Sequence, residues 1–233
     1  YLSKEHGTRK LFETPQIFWM RVGMGCALAE KSPEERERHA MEFYEIMSAM
    51  YYTPSSPTLY HAGLIRAQLS SCFLSTVPDD LHMIFKEYSD SAQLLKYAGG
   101  TGTDWTPVRA TGSLIKGTGV ESQGVIPFLK IANDVTISIN RSGRRRGAAA
   151  VYLEYWHLDI EDFLELRKNT GDERRRAHDL NTATWIPDLF MKRIEEDGYW
   201  TLFSPSDVPD LHDLYGKKFE EAYVRYEAAA EAG

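Results

Sequence analysis

A mixed α/β fold, helical in its first third and built of strands alternating with helices afterwards, is what this sequence predicts. Three features carry that reading. Apolar residues recur at helical spacing through the thirties and forties and again over 80–98. Short β-compatible runs at 71–77, 148–155, 181–186 and 200–203 begin only after residue 70. Helical patterns at 160–167 and 188–196 separate the later runs, which points to βαβ units and a sheet or barrel with parallel elements. A chain of 233 residues fits one large domain, or one domain with a small appendage.

The first firm helix opens at Ser32, where an N-cap serine, Pro33 at the first helical position and the capping-box acid Glu35 precede Ala40, Phe43, Tyr44 and Met47 on one face. A second begins after Asp79 and Asp80, carries Leu81, Ile84, Phe85, Tyr88, Ala92 and Leu95 on one stripe, and ends at Gly99 and Gly100. A third carries Val125, Phe128, Leu129, Ala132, Val135 and Ile139. A last helical pattern over 219–232, with Tyr223 and Tyr226 on one side, runs into Ala228, Ala229 and Ala230 and stops, so the chain reads as a piece of something longer.

Composition narrows the functional classes. With 27 Lys plus Arg against 34 Asp plus Glu, the net charge is −7, which gives nucleic acid no electrostatic footprint. No apolar run is long enough to cross a bilayer and no signal-peptide pattern is present, so the expectation is a cytoplasmic protein without a membrane partner. Two cysteines, Cys26 and Cys72, are too few for a disulfide framework or a cysteine-built zinc site.

Several motifs have both a functional and a plain reading. Gly99, Gly100 and Gly102, with Gly112, Gly117 and Gly119, could let a phosphate or sugar approach the backbone, yet they match neither a dinucleotide fingerprint nor a P-loop, and loops with helix caps explain them as well. Arg141, Arg144, Arg145 and Arg146 around Gly143 and Gly147 suit a phosphate, with a solvated loop as the competing reading. Glu154 and His157 form one Glu-x-x-His pair in a strand-like run, where a metal site would need it on helices and repeated. His61, His82, His178 and His212 show no ligand spacing, and Asp159, Glu161, Asp162 and Glu165 read as the wet face of a helix, so no metal is assigned. Cys72, flanked by Ser70 and Ser71, is on its own a small hydrophobe, and Cys26, with no polar neighbour, is structural.

Taken together these stretches resemble the catalytic large subunit of ribonucleotide reductase. The matching segments are Thr53-Pro-Ser-Ser-Pro-Thr-Leu59, Gln68-Leu-Ser-Ser-Cys-Phe73, Gly99-Gly-Thr-Gly102, Val108-Arg-Ala-Thr-Gly-Ser113, Arg141-Ser-Gly-Arg-Arg-Arg-Gly147, Trp156-His-Leu-Asp-Ile-Glu161 and Leu202-Phe-Ser-Pro-Ser-Asp-Val-Pro209, in the family's order over nearly the whole chain. The resemblance implies a helical region over 1–69 and, over 70–233, the first half of a ten-stranded α/β barrel with specificity-effector elements. It implies an oxidoreductase of class I type that reduces ribonucleoside diphosphates for deoxyribonucleotide synthesis under allosteric control by deoxynucleoside triphosphates or ATP.

By the same resemblance Cys72 is a redox cysteine that reduces the ribose at its 2′ carbon and ends in a disulfide, reset by thiol exchange with thioredoxin or glutaredoxin. Thr58, Ser71 and Gly100 match substrate-binding residues. Asp79, with Asp80 and Leu81 beside it, matches the acidic part of the effector site, and Arg109 and Lys116 match its phosphate-binding residues. The loop from Ser142 to Ala148 matches the element that carries effector identity to the substrate, with Arg145 as its substrate contact. The helix 80–98 matches a homodimer contact, although its apolar stripe could equally face its own core. The radical cysteine and the second redox cysteine are expected beyond residue 233, so the remaining half of the large subunit and a small radical-generating metallo-subunit are expected partners, with no cofactor in this chain and no turnover by it alone. A class II reductase using adenosylcobalamin, and a non-catalytic nucleotide-binding module that uses only the effector site and dimer face, are the alternatives.

Overall fold

The structure, a computed structural model, describes residues 1–5, 7, 8, 10–65, 67–97, 99–115, 117–139 and 148–232. They fall into two compact units, the first Tyr1–Cys72 with Tyr97–Gly99 and the second Phe73–Lys96 with Gly100–Gly233.

The first unit is three helices, α1 (Pro15–Ala27), α2 (Pro33–Ser48) and α3 (Ser56–His61). Both halves of the expected capping box form at α2: the Ser32 side chain accepts from the Glu35 amide, and the Glu35 carboxylate accepts from the Ser32 amide. Phe18, Val22, Met47, Leu59 and Ala62 make the core of this unit. Ahead of α1, none of the described residues among the first fourteen is helical, and Lys4 and Leu11 pair through one antiparallel bridge. What ties that segment down is Glu13, whose buried carboxylate accepts from the Ser3 amide and pairs with Arg21 at 2.6 Å.

The second unit is a four-stranded sheet in the order β1 (Cys72–Thr76), β2 (Gly100–Asp104), β5 (Ala148–Glu154), β6 (Asn181–Trp185). A hairpin of β3 (Thr111–Leu114) and β4 (Glu121–Gln123) lies between β2 and β5 in the chain. The β2–β5 and β5–β6 pairs are parallel, as the alternation of strands and helices predicts. Helices α4 (Leu81–Lys96), α5 (Ile126–Ser138), α6 (Ile160–Leu164), α7 (Asp188–Glu195) and α8 (Gly216–Glu231) complete it. One sheet face is closed by a core that includes Val151, Leu153, Ile84, Tyr88, Ile126 and Leu129. Trp156, Phe203, Leu211, Phe219 and Tyr223 form a second core beneath α8. The stripe on α4 divides: Ile84, Tyr88 and Leu95 are buried, while Leu81 and Phe85 stand exposed.

Two local expectations fail for tertiary reasons. The glycine-rich 99–102 segment is not only a helix end and loop but the start of β2, where the side chains of Leu74 and Tyr152 fold over Gly102: a Cβ there would lie 2.7 Å from Leu74 Cδ2 and 3.0 Å from Tyr152 Cε2. Residues 200–203 form no strand, since only Phe203 pairs, by a single parallel bridge to His157, and the Thr201 amide turns to the Tyr223 hydroxyl instead.

A polar clamp fixes the hairpin. Asp159, buried just before α6, accepts from the amides of Thr111 and Val125, both at 3.0 Å, and so corrects its assignment to a wet helix face. Gly124, at φ +70°, makes room for it, because a Cβ there would fall 2.1 Å from Asp159 Oδ2 and 2.7 Å from the Thr111 amide nitrogen. A second cluster latches the turn Leu211–Asp213 to the strand ends: His212 Nδ1 meets Glu154 Oε1 at 2.5 Å and Nε2 meets Asp104 Oδ2 at 3.2 Å. The groups facing this ring are Glu154 from β5, Asp104 from β2 and Asp213 from its own turn, and Trp156 Nε1 donates to the far oxygen of Glu154. The hydrogen bond to Glu154 raises the His212 pKa, and burial raises that of Glu154.

Two outcomes follow from these contacts. Gly124→Ala combines a left-handed backbone with a backbone clash and should destabilise the protein by roughly 2–4 kcal/mol, read from the urea midpoint. The folded state holds the His212 proton more tightly than the unfolded chain, so this stabilisation is complete below the ordinary histidine value of 6.5 and is lost as pH rises through the higher folded value. Melting temperature should therefore fall as pH rises above the ordinary histidine value of 6.5, and His212→Gln should flatten that slope.

Candidate functional site

Cys72 is the first residue of β1, and the exposed positions of that strand are Cys72, Leu74 and Thr76. Its thiol is free and accepts from the Ser71 hydroxyl at 3.7 Å. In the same unit Thr58 on α3 donates to the Leu69 carbonyl at 3.0 Å, and its hydroxyl lies 3.4 Å from that of Ser55. Cys26 differs in kind: it is half-buried beside Phe43, Met47 and Thr58 in a cavity of about 450 Å³, and burial pushes its thiol pKa up, away from thiolate chemistry.

In the second unit Gly100 opens β2 opposite Ala148. Small residues Gly102, Ala150 and Ala183 pave the same face of the sheet, from which Leu74, Tyr152 and Trp185 stand exposed. At the carboxyl ends of the strands this face opens into a cavity of about 480 Å³ lined by Asp104, Tyr152, Glu154, Trp185, His212 and Tyr215. Sequence reading missed this cluster, because His212 lies 58 residues from Glu154 and no local spacing announces the pair.

Asp79 and Arg109, 30 residues apart in the chain, meet in the structure. Arg109 Nε donates to both Asp79 oxygens at 3.1 and 2.8 Å, and Nη1 donates to the Leu114 carbonyl at 3.1 Å. Both side chains keep partial solvent access. Asp80 does a helix-terminal job, its carboxylate accepting from the Met83 amide at 3.0 Å, and Leu81 is exposed. Lys116 and the arginine loop with Arg141, Arg144, Arg145 and Arg146 lie outside the described residues.

Glu154 and His157 do not converge on a common point. Glu154 turns to His212 and Trp156, while His157 donates from Nε2 to the Val108 carbonyl at 2.9 Å and accepts at Nδ1 from the Asp159 amide at 3.0 Å. Burial lowers the His157 pKa, which keeps the ring neutral and suited to this donor and acceptor pair. Among the described residues no group of three or more His, Cys, Asp or Glu side chains is placed to hold a metal ion. No described helix is long and apolar enough to cross a membrane.

Comparison with known proteins bears on the whole chain. The family described as ribonucleotide reductase, all-alpha domain, matches residues 1–67, and ribonucleotide reductase, barrel domain, matches residues 70–233. The chain is 59% identical over its full length to the ribonucleoside-diphosphate reductase subunit alpha of Chlamydia muridarum, covering 22% of that protein. It is 48% identical over 97% of its length to the subunit alpha of Helicobacter pylori, and 43% identical over its full length to the large subunit of Arabidopsis thaliana, covering 28% of each. The chain thus spans about a quarter of the length of these curated relatives. It belongs to the ribonucleotide reductase family and carries sequence of the large subunit's all-alpha and barrel domains.

Proposed function

We propose that this chain contributes to a ribonucleoside-diphosphate reductase one reducing thiol, part of the substrate cradle and the core of the specificity-effector site. The observation that carries the proposal is the free, exposed Cys72 at the head of β1, with the Ser71 hydroxyl donating to its sulfur. Reduction of a ribonucleotide replaces the 2′ hydroxyl by hydrogen and releases it as water. The two electrons come from two thiols that become a disulfide, which an external dithiol then reduces. Cys72 is suited to be one of those thiols; Cys26, half-buried with a raised pKa, is not suited to be the other. The second thiol and the radical-generating metallo-subunit are therefore assigned to partners, with thioredoxin or glutaredoxin as the reductant.

Thr58, Ser71 and Gly100 are proposed to hold the ribose and phosphates. Asp79 and Arg109 are proposed to hold a deoxynucleoside triphosphate or ATP effector, with Lys116 adding a second cation and Arg145 relaying the effector's identity to the substrate. The Asp79–Arg109 pair supports this assignment, because it sets one acid for a sugar hydroxyl beside one guanidinium fork for a phosphate. The exposed sheet face with Leu74 and Trp185 supports a need for covering structure, since parallel sheets are ordinarily packed on both faces. That cover is assigned to the remaining half of the large subunit.

In the complete large subunit with its small subunit, Cys72→Ser should reduce ribonucleoside diphosphate turnover to background while diphosphate binding persists. Cys26→Ala should retain turnover; activity surviving in Cys72→Ser would remove the reductive role. Arg109→Ala should weaken dTTP binding roughly ten- to hundredfold by calorimetric titration, the loss expected for one charge-assisted phosphate contact.

A further inference from the structure

The backbone on both sides of Arg109 is gripped by side chains from two distant segments. On one side the Val108 carbonyl accepts from His157 Nε2 at 2.9 Å. On the other, the Ala110 amide donates to Ser204 Oγ at 3.2 Å and the Thr111 amide to Asp159 Oδ1 at 3.0 Å. The Ser204 hydroxyl also meets that of Ser113 at 2.7 Å, and the far oxygen of Asp159 takes the Val125 amide where the hairpin returns. All three gripping residues are buried. They belong to the Trp156–Asp159 and Phe203–Ser206 stretches, to which the proposed function gives no task.

We infer that His157, Asp159 and Ser204 are positioning residues for the effector-phosphate contact of Arg109. This rests on the assignment of Arg109 to the phosphate. A guanidinium fork gains most from a phosphate when its own backbone is already fixed, because a loose attachment must be ordered at the moment of binding. Three successive peptide groups, from the Val108 carbonyl to the Thr111 amide, are each held through one polar atom by a buried side chain, while the Arg109 guanidinium pairs with Asp79 and the Leu114 carbonyl. A neutral His157 serves this purpose and a protonated one does not, since Nδ1 must accept from the Asp159 amide.

The test is a double-mutant cycle on dTTP affinity in the complete large subunit, with Ser204→Ala and Arg109→Ala singly and together, and thermal melts alongside. The expected result is that Ser204→Ala weakens dTTP binding roughly three- to tenfold, and that in the Arg109→Ala background it adds nothing further. An equal loss in both backgrounds would make Ser204 merely structural and overturn the inference, as would an unchanged affinity in the single variant. If Arg109→Ala itself leaves dTTP affinity unchanged, the underlying assignment of Arg109 fails, a result distinct from failure of Ser204 alone. Should Ser204→Ala not fold, Asp159→Asn, which leaves one of the two amides of Thr111 and Val125 without its carboxylate acceptor, is read against the same criteria.

Discussion

The buried Asp159 carboxylate is the constraint on which the second unit most depends. A charge held away from water must be met by donors, and here two backbone amides 14 residues apart, those of Thr111 and Val125, meet it. That requirement fixes where the hairpin leaves the sheet and where it returns, and it makes Gly124 obligatory, because any side chain there would occupy the space of the carboxylate. Once the hairpin is set, Arg109 reaches Asp79 at the start of α4, and the two residues form one polar site from elements that are remote in sequence.

The sheet imposes a second asymmetry. Its helix-covered face buries Val151 and Leu153, while its other face is paved by glycine and alanine with Leu74, Tyr152 and Trp185 exposed. Small residues allow close approach of a partner backbone or a flat substrate, and at Gly102 the side chains of Leu74 and Tyr152 already use that room. A thiol at the head of β1 belongs to this exposed pattern and not to the core. That placement is what distinguishes Cys72 from Cys26.

Much of the fold was legible in the sequence, and the failures have local causes. The capping box at Ser32 and Glu35 marks α2 because a cap is made by neighbours in the chain, and the stripe on α4 marks a helix for the same reason. Strand β2 was hidden because glycine signals a loop unless one knows that Leu74 and Tyr152 crowd it. Asp159 was misread because its spacing to Asp162 and Glu165 resembles a solvated helix face, whereas it sits ahead of α6 and points at the hairpin. The roles proposed for Cys72, Thr58 and Gly100 rest on resemblance to a family, since no spacing of residue types carries them. The Asp104, His212 and Glu154 cluster was illegible because its members come from two strands and a turn.

The measurement that tests this account most directly is hydrogen–deuterium exchange of the complete large subunit with and without dTTP. The account predicts that the nucleotide slows exchange in peptides covering 79–83 and 109–115, where Asp79 and Arg109 lie, while 156–160 is already protected without it by the clamp. Protection by dTTP that leaves both 79–83 and 109–115 unchanged, or a clamp segment that exchanges freely in the unliganded protein, would contradict it.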